Sequence, residues 1–288
     1  MAKKLLGKDV AQHMQETLEE KIAALEARGV TPTLALVRVG ARGDDMAYER
    51  SAIKRMDALG IRVRQVILDA DASQQALETA VAALSDDPDV HGVMIFQPLP
   101  APLSAEPLKA ILDPRKDVDG MSPVNMAKVF SGDPSAMAPC TPQAVIEILD
   151  DYGIDLIGKR VTVVGRSMVV GRPLAMLLLE RHATVTICHT KTDALMARCR
   201  EAEVLVAACG RANMIGADMV GDGAIVIDVG INVGADGKLC GDVDFAAVEP
   251  VASAITPVPG GVGSVTTSVL AKHVVEAAAV LNGVTIDT

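Results

Sequence analysis

The sequence predicts an α/β protein of two domains, an N-terminal α/β catalytic domain followed by a Rossmann-like, doubly wound parallel sheet. The chain has 288 residues, which is long enough for two domains. Short apolar segments alternate with segments of helical periodicity, which is typical of parallel strands joined by helical crossovers. Aromatic residues make up only 2% of the chain. The core must therefore be aliphatic, as in parallel sheets that are buried on both faces.

The first domain is predicted to open with a helix, because apolar residues between 9 and 28 recur at steps of three and four residues. Gly29 ends this helix, and Ser73 is expected to cap a later one. The remaining pattern predicts strand 33–39, helix 44–59, strand 61–68, helix 73–84 and strand 90–96.

A proline-rich segment from Gln97 to Pro142 follows, and we expect loops and short helices there. Thr141 and Pro142 are expected to start a helix, with the hydroxyl as N-cap and proline at the first helical position. We therefore predict a folate-binding or catalytic domain over residues 1–140 and a Rossmann-like domain over residues 141–266. A C-terminal helix over residues 267–288 is expected to pack back on the first domain.

The second domain is predicted from six segments: strand 161–164, helix 173–181, strand 184–188, helix 192–199, strand 204–208 and strand 224–229. Its first strand leads into Gly165-Arg166-Ser167-Met168-Val169-Val170-Gly171 and then a helix. Such a strand–loop–helix places backbone N–H groups and the positive end of a helix at an anion. The glycines are not spaced as G-x-G-x-x-G, so spacing alone leaves a dinucleotide site and a plain glycine turn equally open.

Composition excludes several classes of function. A net charge of −10 disfavours nucleic acid as a partner. No apolar run is long enough to span a bilayer, and the first residues lack the apolar core of a secretion signal. Five cysteines without C-x-x-C spacing indicate neither a metal site nor a disulfide framework. Reduced thiols predict a cytoplasmic protein.

Three motifs carry a resemblance to a known family: Lys116-Asp117-Val118-Asp119-Gly120, the loop at Gly165, and Pro257-Val258-Pro259-Gly260-Gly261-Val262-Gly263. Together they resemble the methylenetetrahydrofolate dehydrogenase/cyclohydrolase family, over nearly the whole chain. The resemblance implies a homodimer that binds a folate and NADP. Two segments, Asp228-Val229-Gly230-Ile231-Asn232 and Gly241-Asp242-Val243-Asp244-Phe245, resemble the family as well.

The resemblance also implies the cofactor-binding residues. Gly165, Arg166 and Ser167 would bind the ribose phosphate of NADP, and Ile231 would contact the cofactor through its backbone. Where many NAD-binding chains carry a carboxylate, this chain has Thr190 and Lys191, which favours a 2′-phosphate.

On the folate side, the resemblance implies that Asp119 binds the pterin, whose edge offers hydrogen-bond donors that a carboxylate accepts. Tyr48 would stack or hydrogen-bond in the cleft. Pro259, Gly260 and Gly261 would border the folate.

The chain departs from the family at two catalytic positions. The family's Tyr-x-x-x-Lys motif places the lysine at position 52, which is alanine here, and Lys54 lies about 120° round the helix from Tyr48. The family's glutamine falls on Phe96, and Gln97 follows one residue later; only a bulge would return it to the same face. Lys54 and Gln97 are the nearest candidates for handling protons.

The sequence thus predicts an NADP-dependent 5,10-methylenetetrahydrofolate dehydrogenase. A 5,10-methenyltetrahydrofolate cyclohydrolase activity, which gives 10-formyltetrahydrofolate, stays open because of Ala52 and Phe96. The alternatives are a dehydrogenase without that activity, a two-domain dehydrogenase of amino acids or shikimate, and a non-catalytic nucleotide-sensing module.

Overall fold

The computed structural model describes residues 1–234 and 237–286 and confirms the α/β fold. The chain forms two compact units. The first, the cofactor unit, comprises residues 1–12, 129–133 and 141–266. The second, the folate unit, comprises residues 13–128, 134–140 and 267–288, of which 287 and 288 lie outside the described residues.

The strands are β1 (Lys3–Lys4), β2 (Thr33–Val39), β3 (Arg62–Leu68), β4 (Gly92–Ile95), β5 (Arg160–Val164), β6 (Thr184–Cys188), β7 (Val204–Ala207), β8 (Ile225–Asp228), β9 (Asn232–Val233), β10 (Leu239–Cys240) and β11 (Ala254–Ile255). The helices are α1 (Gly7–Glu26), α2 (Gly43–Ala58), α3 (Gln74–Asp86), α4 (Leu108–Ile111), α5 (Pro123–Ser131), α6 (Cys140–Asp151), α7 (Gly171–Glu180), α8 (Leu195–Arg200), α9 (Phe245–Val248) and α10 (Thr266–Asn282).

The cofactor unit is built on a six-stranded parallel sheet in the order β1-β11-β8-β7-β5-β6. Strand β5 has β6 on one side and β7 on the other, so the chain order reverses at β5. Ligands of doubly wound sheets bind at such a switch point, beyond the carboxyl ends of the strands. The antiparallel pair β9–β10 forms a separate small sheet.

The folate unit is built on a three-stranded parallel sheet in the order β3-β2-β4. Every residue of the central strand β2 is buried. One face of β2 contributes Ala35, Val37 and Val39 to an aliphatic core with Leu77 and Val81 of α3. This core holds the carboxyl ends of β2 and β4 beside each other, where the folate-site candidates follow in sequence.

Three helix starts predicted in the second domain differ from the structure: α7 begins at Gly171, two residues before the predicted start at Pro173, and the other two are α6 and α8. Helix α6 begins at Cys140, ahead of Thr141 and Pro142, and the N–H of Cys140 donates to the Asp119 carboxylate at 3.3 Å. Its start is thus held by a carboxylate distant in sequence, which local patterns do not reveal. Helix α8 begins at Leu195 instead of Thr192, whose hydroxyl accepts the N–H of His189 at 2.8 Å.

The first twelve residues, which the sequence assigns to the first domain, lie in the cofactor unit, as do residues 129–133. The reason is that β1 pairs with β11 at the edge of the six-stranded sheet. A two-residue strand has no periodicity that sequence analysis could detect. Residues 267–286 lie in the folate unit.

His91 is buried at the start of β4, and its Nδ1 accepts the backbone N–H of Thr33 at 3.1 Å. A ring nitrogen that accepts this bond carries no proton, so the imidazole is neutral. Burial lowers the pKa of His91, and the nearby Lys116 ammonium lowers it further.

We expect the folate unit to lose stability as the pH falls below about 6.5, because an unfolded histidine takes up a proton there while buried His91 resists it. The slope from one proton is at most about 1.4 kcal/mol per pH unit. The urea midpoint should fall more between pH 7.5 and 5.5 in the wild type than in His91→Asn. Equal losses in the two proteins would contradict this assignment.

Candidate cofactor and folate sites

The loop after β5 has the close backbone packing of a phosphate-binding turn. Gly165 has a φ of 141°, and a Cβ there would lie 2.1 Å from the carbonyl oxygen of Ala208. A Cβ on Gly171 would lie 2.2 Å from the carbonyl oxygen of Gly165. The two glycines thus let the loop fold on itself and lie against the end of β7, directly before α7 begins. This arrangement fits a bound pyrophosphate at a helix N-terminus.

Exposed polar side chains surround this loop. Arg166 and Ser167 are exposed, and the Ser167 hydroxyl accepts the N–H of Val170 at 3.1 Å, which forms a local turn. Beyond the carboxyl end of β6, Thr190 and Lys191 are exposed as well. The candidate cations for a 2′-phosphate are thus accessible, and they follow adjacent strands of the sheet.

His189 has a local structural role in the turn after β6. Its backbone N–H donates to Thr192, and its Nδ1 accepts the N–H of Lys191 at 3.1 Å. These two bonds fix the direction in which the chain leaves β6.

A cavity of about 210 Å³ lies beyond the end of β8. Its wall consists of residues 228–231, Leu239 and residues 257–264. Ile231 is 66% exposed there. The predicted cofactor-contacting segment and the Pro/Gly loop thus line one cavity within a single unit.

The Pro/Gly loop is shaped by backbone packing. Val258 and Pro259 are joined by a cis peptide bond, and the Gly260 carbonyl accepts the N–H of Gly7 at 2.8 Å. A Cβ on Gly261 would lie 2.5 Å from the carbonyl oxygen of Pro257. Pro259 and Gly260 are exposed, whereas Gly261 is buried. The loop therefore presents backbone to a ligand and keeps its own fold through glycine.

Two buried aspartates hold the segments that follow β7, β8 and β10, and the sequence predicts a role for neither. Asp228 ends β8, and Asp242 follows β10; both are buried. Their motifs were visible in the sequence, but nothing in the spacing shows that a carboxylate faces inward to accept backbone N–H groups.

In the folate unit, Tyr48 of α2 meets Phe96, which follows β4. Their rings pack edge to face with centroids 6.2 Å apart and an interplanar angle of 77°. Phe96 is buried, and its N–H donates to the carbonyl of Val37 at 3.0 Å, which continues the regular pairing of β2 with β4. No bulge therefore moves Gln97 to the position of Phe96, and Gln97 is exposed.

Ala52 is fully buried on the inner face of α2, one turn after Glu49. Glu49 is buried too; it forms an ion pair with Arg38 of β2 at 3.0 Å and accepts from Gln65 of β3 at 3.1 Å. These bonds fix the rotation of α2 on the sheet. Lys54 is exposed. The structure therefore brings Tyr48 to Phe96, whereas Lys54 and Gln97 are exposed.

The two aspartates of the Lys116–Gly120 motif play different parts. Asp117 is buried and accepts the N–H groups of Met121 and Ser122 at 3.0 and 2.8 Å, which holds the turn before α5. Asp119 is half-buried, and its carboxylate accepts the N–H of Cys140 at 3.3 Å. Burial raises the pKa of the Asp119 carboxyl, and this N–H partly offsets the effect.

Within residues 1–234 and 237–286, no group of His, Cys, Asp and Glu side chains could hold a metal ion. In the same part of the chain, no helix is long and apolar enough to cross a membrane.

The switch-point loop and the separate folate unit define the class of protein as a two-domain α/β enzyme with a dinucleotide-binding unit. The family description "Tetrahydrofolate dehydrogenase/cyclohydrolase, catalytic domain" matches residues 5–119. The description "Tetrahydrofolate dehydrogenase/cyclohydrolase, NAD(P)-binding domain" matches residues 139–282. The chain belongs to the tetrahydrofolate dehydrogenase/cyclohydrolase family.

Individual relatives agree with this assignment. The chain is 53% identical over 276 residues to a bifunctional protein FolD of Clostridioides difficile, with 96% of each chain covered. It is similar to the crystal structure of the bifunctional enzyme of Campylobacter jejuni (TM-score 0.94, 38% identity, 96% of this chain and 99% of that one). It is also similar to the Trypanosoma brucei enzyme complexed with NADP and an inhibitor (TM-score 0.90, 35% identity, 96% and 97%).

We expect Arg166→Ala to weaken NADP binding about ten-fold or more and to leave NAD binding within two-fold, because only NADP carries a 2′-phosphate. A hydrogen bond to a charged group contributes about 1.5–3 kcal/mol. Titration of each cofactor checks this, and Arg200→Ala on α8 serves as the control for an exposed arginine elsewhere in the unit. Unchanged NADP affinity would contradict the assignment of Arg166.

Proposed function

We propose that this chain is an NADP-dependent 5,10-methylenetetrahydrofolate dehydrogenase and that it also hydrolyses 5,10-methenyltetrahydrofolate to 10-formyltetrahydrofolate. The observation that carries the first activity is the loop from Gly165 to Gly171 at the switch point, with accessible Arg166 and Lys191 beside it. A bound nicotinamide supplies the acceptor for the hydride. The protein itself has to bind and orient the folate and the cofactor. Two accessible binding regions support this role.

On the folate side, Asp119 is proposed to bind the pterin. Its carboxylate is half-buried and has acceptor capacity beyond the bond from Cys140. Tyr48 is proposed to line the folate site, and its ring position is supported by the edge-to-face contact with Phe96. Hydride transfer needs positioning more than proton transfer, so Ala52 and Phe96 are compatible with oxidation of the substrate.

The second activity is favoured by the names of the relatives, several of which are called bifunctional. In this chain it cannot depend on a lysine at position 52, which is alanine. Lys54 and Gln97, both exposed, remain the proposed groups for handling protons.

A paired assay on purified protein tests both activities. We expect oxidation of methylenetetrahydrofolate with NADP, followed through the reduced cofactor. We also expect added methenyltetrahydrofolate to decay faster than in buffer alone. Oxidation without faster decay would establish a monofunctional dehydrogenase. No oxidation with NADP or NAD would overturn the proposal and would favour the alternative of a nucleotide-sensing module.

Lys54→Ala is expected to slow methenyltetrahydrofolate decay at least ten-fold, because general acid–base groups contribute 10²–10⁴-fold, and to leave oxidation within two-fold. Arg50→Ala removes another exposed cation from α2 and serves as the matched control. Unchanged decay in Lys54→Ala would remove Lys54 from the mechanism.

A homodimer in a cytoplasmic setting completes the proposal. The β9–β10 pair carries exposed apolar side chains, Val233 at 68% and Leu239 at 52%, which supports an interface on the cofactor unit. The five cysteines are all free, as in a reducing compartment. Light scattering on the purified chain measures the mass and tests the dimer.

A further inference from the structure

Asp228 and Asp242 are tied to each other's segments at the edge of the cofactor unit. Asp228 accepts the N–H groups of Gly230, Asp242 and Val243 at 2.9, 3.0 and 3.0 Å. The carboxylate at the end of β8 therefore holds both its own loop and the segment that returns after β10.

Asp242 completes the connection from the other side. Its Oδ2 accepts the N–H groups of Cys209 and Gly210 at 2.6 and 2.9 Å, in the loop after β7. Its Oδ1 accepts the N–H of Arg211 at 2.8 Å and the side-chain amide of Asn232 at 2.9 Å. One side chain thus joins the loop after β7 to the segment after β8.

Glycines let the two carboxylates approach the backbone. A Cβ on Gly241 would lie 1.8 Å from Oδ2 of Asp228, and a Cβ on Gly230 would lie 2.3 Å from Oδ1 of Asp242. Each carboxylate packs against a glycine beside the other aspartate. The arrangement leaves no room for a side chain at either glycine.

This pair is costly to bury. Burial raises the pKa of Asp228 to about 6, and the charge of Asp242 adds to the shift, although three N–H groups favour the ionised form. Two like charges in one buried site oppose folding. Neutral groups could hold a purely structural loop at a lower free-energy cost of burial. The use of two carboxylates therefore indicates that the position of this loop matters for function.

What the pair holds is the wall of the cavity. Residues 228–231 line it, Gly230 is buried between the two carboxylates, and Ile231 projects with 66% of its surface exposed. Gly230 is thus held in place, whereas the side chain of the next residue, Ile231, is exposed.

We infer that Asp228 and Asp242 are positioning residues that fix the backbone of residues 229–232 and thereby set where the nicotinamide half of NADP binds, without contacting the adenosine half. This inference rests on the proposed cofactor. The predicted adenosine-side residues, Arg166 and Lys191, follow β5 and β6, whereas the carboxylate pair lies beyond β7 and β8.

The test compares NADP with 2′,5′-ADP, which keeps the adenosine and its 2′-phosphate but lacks the nicotinamide half. In Asp242→Asn, the side-chain NH₂ group replaces one carboxylate oxygen and faces backbone N–H groups that it cannot accept. We expect the dissociation constant for NADP to rise at least ten-fold, while that for 2′,5′-ADP stays within two-fold. Asp244→Asn is the matched control, because Asn still caps α9, and neither constant should change.

Asn232→Ala removes a single bond to Asp242 from a half-buried position and serves if Asp242→Asn does not fold. We expect about a three-fold loss of NADP affinity with 2′,5′-ADP unchanged. Equal weakening of both ligands, or of neither, in the variants that fold would overturn the inference. If the variants show this pattern of binding but the wild type does not oxidise methylenetetrahydrofolate, only the proposed function is refuted.

Discussion

Buried aspartates that accept backbone N–H groups hold the loops beyond the strands in both units. Asp117 does so for the turn before α5, and Asp228 and Asp242 do so for the segments after β7, β8 and β10. A carboxylate accepts several N–H groups at once, and each bond to a charged acceptor contributes about 1.5–3 kcal/mol. Loops that would otherwise leave donors unpaired are thereby fixed next to the binding regions.

The cofactor region is made largely of backbone. Gly165, Gly171 and Gly261 each approach a carbonyl oxygen so closely that a Cβ would clash. These glycines let the loops pack closely against neighbouring backbone. The proposed specificity for the phosphate then rests on the exposed cations at the strand ends, Arg166 and Lys191.

Ala52 and Phe96, at the two positions where the resemblance implies polar side chains, are buried in the folate unit. Ala52 is fully buried beside the Glu49–Arg38 ion pair, and Phe96 packs against Tyr48. The ion pair and the ring contact together fix α2 on the sheet, so the position of Tyr48 depends on buried residues. The groups proposed to handle protons in the hydrolase reaction are therefore the exposed Lys54 and Gln97.

The sequence by itself determined the alternation of strands and helices, the fold class, the family and the glycine loop, because periodicity and turn chemistry are local. It also identified Ala52 and Phe96 as departures. Only the tertiary structure showed that α6 starts at Cys140, whose N–H donates to Asp119. It also placed residues 1–12 in the cofactor unit and showed that Asp228 and Asp242 are buried. Each of these depends on a hydrogen bond between groups far apart or on opposite sides of a hairpin, and a local pattern does not encode such a pairing.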